Sequence, residues 1–220
     1  MVIKIPSWLS SALDQTGADL IEKSVKEAEK KTAGEIVPLI VQGSTINASA
    51  PLLAVFIAGF LVLALKHGFW LYDLSDYTSV WFWLALFAAA VGGGFAFGMS
   101  RLGQMVLTPR YEKRRQVQQR ALLEFYEAKL NHTTGSTGIL LFISWRERQA
   151  FVLADEGIAK HCQPTVFKDV AQALVQGAKE GQLAKGYAQA IALSADILAK
   201  HIPIQTGDLN ELKDYLRIVD

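Results

Sequence analysis

Few residues in this chain have the types that do chemistry. Asp14, in the loop ahead of the first helical stretch, and Asp155 with Glu156, at the end of a short apolar run, are the carboxylates best placed to move a proton or hold a metal. If those two loops met at one sheet edge, Asp14, Asp155 and Glu156 would offer oxygens to a hard cation such as calcium or magnesium. The structural alternative is that Asp14 caps a helix, while Asp155-Glu156-Gly157 closes a strand and caps the helix after it. His161 beside Cys162 has the types of a base and a nucleophile, but adjacent helical positions point about 100° apart and cannot form a dyad. Cys162 is the only cysteine, which excludes an internal disulfide and a thiolate metal cluster, and reads as a small packing residue. His67, His132 and His201 lie on unrelated elements without ligand spacing, and there is no Gly-rich phosphate loop. The residues compose no self-sufficient catalytic constellation.

The elements that must position these side chains follow from hydrophobic spacing. Leu13, Leu20, Ile21, Val25 and Ala28 recur near helical spacing between Ser11 and Lys31, with Glu22, Lys23, Lys26 and Glu27 on the other face, which predicts an amphipathic surface helix. After Gly34 the β-branched run Glu35 to Gln42 predicts a buried strand, and Pro38, lacking a donor, predicts that it is an edge or irregular there. In the second half, Gly138 to Ser144 and Ala150 to Ala154 predict a central β-hairpin turned through Trp145 to Gln149. Helical patterns follow at Val166 to Glu180 and Lys185 to His201, with a short final helix near Asp208 to Arg217.

Charge is segregated along the chain. With 22 basic and 21 acidic residues the formal charge is +1, which gives no overall bias toward nucleic acid. Yet Ala48 to Leu65 and Tyr77 to Ser100 hold no charge at all. As helices they would reach roughly 27 and 36 Å, against a bilayer hydrocarbon core of about 30 Å. The short connection from Lys66 to Asp76 makes them an antiparallel hairpin, and Trp70, Tyr72, Tyr77, Trp81 and Trp83 cluster at that end, as at a membrane boundary. The Gly92-Gly93-Gly94 and Gly94 to Gly98 spacing would allow close approach by another helix, within the hairpin or between two copies.

Beyond Arg101, Thr108 and Pro109 mark the start of a helix running to about Leu130. Its first half carries Arg110, Lys113, Arg114, Arg115 and Arg120, against one lysine in the hairpin loop. This asymmetry places both termini in the cytoplasm and the loop outside. The same cluster, Arg110, Lys113, Arg114 and Arg115, is suited to anionic lipid headgroups, at about 1 kcal/mol per basic residue, better than to nucleic acid. The N-terminal residues show no charged region followed by an apolar run, so the internal segments are expected to do the membrane targeting.

The runs Leu13 to Leu20, Lys31 to Val37, Thr137 to Ser144 and Arg148 to Ile158 resemble the TPM domain, over roughly residues 8 to 45 and 115 to 200. The resemblance implies an α/β sandwich, three-layer-like, with a small mixed sheet between helices and the hairpin inserted after the first strand. On that reading residues 1–47 and 101–220 form the TPM-like domain, the latter beginning with a basic linking helix, and 48–100 the hairpin, with helices at 48–65 and 77–100. Bacterial TPM-like membrane proteins look similar, which implies a bacterial inner membrane. Some members of the family are described as acid phosphatases, and many face the lumen or periplasm, unlike the cytoplasmic orientation expected here. The combined expectation is a membrane-anchored accessory or interaction domain, acting with the lipid bilayer and another membrane protein. The alternative is a metal-assisted phosphatase using Asp14 and Asp155 as its catalytic candidates.

Overall fold

The computed structural model describes residues 3–45, 49–71, 79–133, 135–204 and 212–220. The chain divides into two compact units, one formed by Met1–Ser44 and Arg114–Asp220, the other by Thr45–Lys113.

The first unit is an α/β sandwich. Gln15–Glu29 is helix α1, and Glu35–Val41 is strand β1. Gly138–Ser144 (β2) pairs with β1 in parallel, in register from Glu35 opposite Gly138 to Val41 opposite Ser144. Gln149–Ala154 (β3) folds back antiparallel on β2, and Arg217–Val219 (β4) pairs in parallel with Leu39 to Val41. The order β3-β2-β1-β4 makes a mixed sheet with β1 and β2 at its centre. Both central strands are buried on both faces, which is why they read as continuous apolar runs rather than as alternating ones.

Alternation sends their side chains into two cores. Ile36, Ile40, Ile139, Leu141 and Ile143 pack with α1 and with Lys168–Glu180 (α7) and Leu183–His201 (α8). Val37, Leu39, Val41, Leu140 and Phe142 pack against Val117, Ala121 and Phe125 of the helix Arg110–Glu127 (α5) on the other face. Helices, sheet and helix thus form three layers. Gly177 and Gly186 allow α7 and α8 to touch: a Cβ on Gly177 would lie 2.6 Å from the Gly186 Cα.

One predicted detail is borne out and another corrected. At Pro38 β1 is an edge, as expected, because β4 pairs only with Leu39 to Val41 and leaves β1 without a strand neighbour at Pro38 on that side; from Leu39 on it is an interior strand. Gln42, four residues on and so in the same orientation, donates its N–H to Val219 O on β4, so the donor that Pro38 lacks would have met no strand partner. Of the predicted final helix, residues 208–211 lie outside the described residues. Leu212 to Leu216 are not helical, and Arg217 belongs to β4.

The second unit is a helical hairpin. Ala50–Leu71 (α2) and Val80–Met99 (α3) are long and apolar enough to cross a membrane. α2 continues past Lys66, since a lysine does not stop a helix and its long stem can carry the ammonium outward. The two run antiparallel: Gly94 faces Ala54 and Ala58, and Gly98 faces Pro51. A Cβ on Gly98 would lie 2.4 Å from Pro51 Cα, whereas Gly92 and Gly93 have nothing within 4 Å of theirs. The Gly94 to Gly98 spacing therefore serves packing inside the hairpin. Most of the apolar side chains are exposed, Phe60 at 70% and Trp81 at 79%. Trp83, expected at the boundary, instead turns inward and meets Phe69 edge-to-face at 5.5 Å. Trp70 and Trp81 are exposed, while Tyr72 and Tyr77 lie outside the described residues, as do Ala48, Asp73 and Asp76.

A short helix not foreseen in the sequence, Arg101–Leu107 (α4), follows α3 and packs on α2 and α3. The chain breaks at Ser100, which is extended and whose hydroxyl donates to Phe97 O at 2.6 Å and accepts the Gly103 N–H at 3.0 Å. Serine competes with the helix by such local bonds, which is why α3 ends there. Thr108 closes α4, its hydroxyl donating to Gln104 O, and α5 then starts at Arg110 after Pro109.

Candidate functional site

Asp14 and Asp155 both sit at helix N-termini. Asp14 Oδ1 accepts the Gly17 N–H at 2.7 Å and caps α1. Asp155 Oδ1 accepts the Glu156 N–H at 2.8 Å at the start of the four-residue helix Glu156–Ala159 (α6). Gly157 is needed there, since a Cβ would come 2.2 Å from Gly135 O. Glu156 is exposed and pairs with Lys160 at 3.1 Å.

The two loops do not meet. Asp155 donates its N–H to the carbonyl of Gly138, the register partner of Glu35, so it lies at the amino ends of β1 and β2. The C-terminal Glu29 of α1 is also at that end, accepting the Ile36 N–H at 3.1 Å. α1 then runs back over the sheet, packing Ile21 and Val25 with Ile36 and Ile40. At about 1.5 Å per residue its length puts Asp14 about 22 Å away, toward the opposite end. The expectation that Asp14, Asp155 and Glu156 share one edge is corrected by strand direction, which an antiparallel β3 reverses. Asp155 Oδ2 is buried without a hydrogen-bond partner and would offer one oxygen. A calcium ion takes six to eight oxygens, however, and among the described residues no three of His, Cys, Asp and Glu form a group able to hold a metal ion. The residues present do not fit the implied cation.

The remaining candidates also separate. Cys162 is buried, and burial pushes its thiol above the usual range, so it packs rather than attacks. His161 is exposed beside it. Of the basic residues on α5, Arg110, Arg114 and Arg115 are exposed, and the Arg114 guanidinium lies 6.0 Å from the Phe151 ring centre. Lys113 donates to Met105 O at 2.5 Å, in the last turn of α4, where a cation suits the carbonyl end of a helix. Arg120 is engaged by Glu124 at 2.7 Å, and Glu124 is buried.

One polar cluster escaped the sequence reading because its members are 100 residues apart. At the carboxyl ends of β1 and β2, the Glu147 carboxylate accepts from the Ser44 N–H at 3.2 Å and from the Ser144 hydroxyl. Ser44 Oγ lies 2.8 Å from Ser144 Oγ. Arg148, with a positive φ of 52°, stacks its guanidinium 3.6 Å from the Trp145 ring centre and donates to Ala178 O. Ser144 is fully buried, so the cluster ties Ser44, the last residue before the inserted unit, to the β2–β3 turn.

The chain has a solved structural counterpart. The fold is similar to that of the BA42 protein. That protein, from the psychrophilic bacterium Bizionia argentinensis, was solved by NMR, and the match has a TM-score of 0.58 at 16% identity, covering 94% of each chain. It is a TPM-domain-like fold, and the likeness is one of fold alone. No family model matches the sequence, and no curated protein matches it.

Proposed function

We propose that the α2–α3 hairpin spans a bacterial inner membrane and holds a TPM-like α/β domain at the inner leaflet, as an accessory module for another membrane protein. The observation that carries this reading is the exposed apolar surface of the hairpin. Leu52, Phe56, Phe60, Leu63, Trp81 and Leu84 are all exposed, an apolar area beyond what a soluble monomer leaves in water. α2 and α3, at 22 and 20 residues, reach about 33 and 30 Å, enough for the hydrocarbon core. Exposed Trp70 and Trp81 suit the boundary at the loop end.

Arg110, Lys113, Arg114 and Arg115 follow the hairpin and support an orientation with both chain ends in the cytoplasm, where they meet anionic headgroups. Among the described residues no three of His, Cys, Asp and Glu form a group able to hold a metal ion, which favours an interaction role over metal-assisted hydrolysis. Two measurements test this. Membranes from expressing cells are extracted with alkaline carbonate, and the full chain is expected to stay with the pellet; release into the supernatant refutes the anchor. Crosslinking in intact membranes is expected to join the α/β unit to one membrane protein reproducibly. Crosslinks to lipid alone refute the accessory role.

A further inference from the structure

We infer that α4 is an interfacial helix, lying at the membrane surface with Leu102, Met105 and Val106 in the upper acyl region of an anionic bilayer. The inference rests on the proposed spanning of the hairpin.

α4 is placed at the end of the hairpin where the chain enters and leaves it. Gly103 presses on the last turn of α3, where a Cβ would meet Phe97 O at 1.9 Å. Leu107 lines an apolar groove with Ala54, Gly94 and Phe97. These contacts use one side of α4. The other side carries Leu102, Met105 and Val106, spaced three and four apart on one helical face, and that face is exposed, Leu102 at 69% and Val106 at 73%.

Two observations point to lipid as the occupant. Phe95, Phe97 and Met99, in the last turns of α3 directly before α4, are exposed apolar side chains too, so the lipid that would solvate them in a spanning hairpin lies next to α4 in the chain. Cations bracket the face: Arg101 begins α4, Arg110 follows it, and Lys113 is tied back to it through Met105 O. An apolar face edged by basic residues is the pattern of a helix in the plane of an anionic interface, buried about 5–10 Å. α4 would then fix the depth of Arg110 and Lys113 at the headgroups, so that the break at Ser100 turns the chain from crossing the bilayer to lying on it.

The test is nitroxide accessibility on the full chain in nanodiscs of phosphatidylethanolamine and phosphatidylglycerol. Single labels are placed by Leu102→Cys, Met105→Cys, Val106→Cys, Phe60→Cys and Glu180→Cys in a Cys162→Ala background. Oxygen collision relative to a water-soluble nickel chelate is expected to be several-fold higher at 102, 105 and 106 than at 180, and lower than at 60. Water-like values on α4 with a lipid-like value at 60 overturn the inference and leave the spanning hairpin intact. Protection of α4 from both reagents means that protein covers it, and also overturns the inference. A water-like value at 60 overturns the spanning reading and the inference with it.

Discussion

Gly98 of α3 lies so close to Pro51 of α2 that a methyl group on it would fall 2.4 Å from the proline Cα. The contact is with backbone, which cannot rotate aside. Gly98→Ala is therefore expected to lower the stability of the hairpin by about 1–3 kcal/mol. At about 2–4 °C per kcal/mol the fall in Tm of the full chain in detergent is measurable. Gly93→Ala, in open space, is expected to leave Tm unchanged. A larger loss at Gly93 than at Gly98 would mean that the open glycine face, rather than the inner one, carries helix packing.

Asp14 and Asp155 each cap a helix and lie toward opposite ends of the sheet. Each change to alanine is expected to cost about 0.5–2 kcal/mol. Because the sites share no partner, the double variant should equal the sum within about 0.3–0.5 kcal/mol, with or without added magnesium or calcium. Chemical denaturation of the four proteins measures this. A coupling that appears only with the cation would show that the two carboxylates hold it jointly.

Glu124 is buried beside Arg120, and burial raises its carboxyl above the ordinary range against the pull of the guanidinium. The folded state thus keeps this proton more tightly than the unfolded chain, whose value is about 4.3. Below that value the group costs nothing; as pH rises through the raised folded value a penalty accumulates and then stays. Glu124→Gln removes it, so the Tm of the variant relative to the parent should rise as pH is raised from about 4.3 through the elevated folded value and then level off. A relative Tm that falls over that range would show that the ion pair with Arg120 outweighs desolvation.

These residues also show what could be read from the sequence. The central strands and the hairpin were legible because each is a long run of one character: Gly138 to Ser144 is buried on both faces, and no charge interrupts Val80 to Met99. Helix boundaries at Glu180 and His201 were legible from periodicity. β4 was not, since three residues at Arg217–Val219 carry no period and take their shape from Leu39 to Val41. Pro38 marked a local edge correctly, but that β1 becomes interior from Leu39 on depends on where β4 begins, which is a matter of register. The separation of Asp14 from Asp155 depends on strand direction, and the meeting of Ser44, Ser144 and Glu147 depends on pairing across the inserted unit; neither is a local property. Arg120 looked like one more exposed cation until its partner four residues on proved to be buried.

The central claim is that α2 and α3 cross a membrane once each and return the chain to the side it came from. Reporter fusions test it most directly, with alkaline phosphatase or green fluorescent protein joined after Trp70, after Lys113 and at Asp220. The account predicts phosphatase activity only for the fusion after Trp70, and fluorescence only for those after Lys113 and at Asp220. Fusions after Trp70 and Lys113 that report the same side, or a fusion at Asp220 active only outside the cytoplasm, would contradict it.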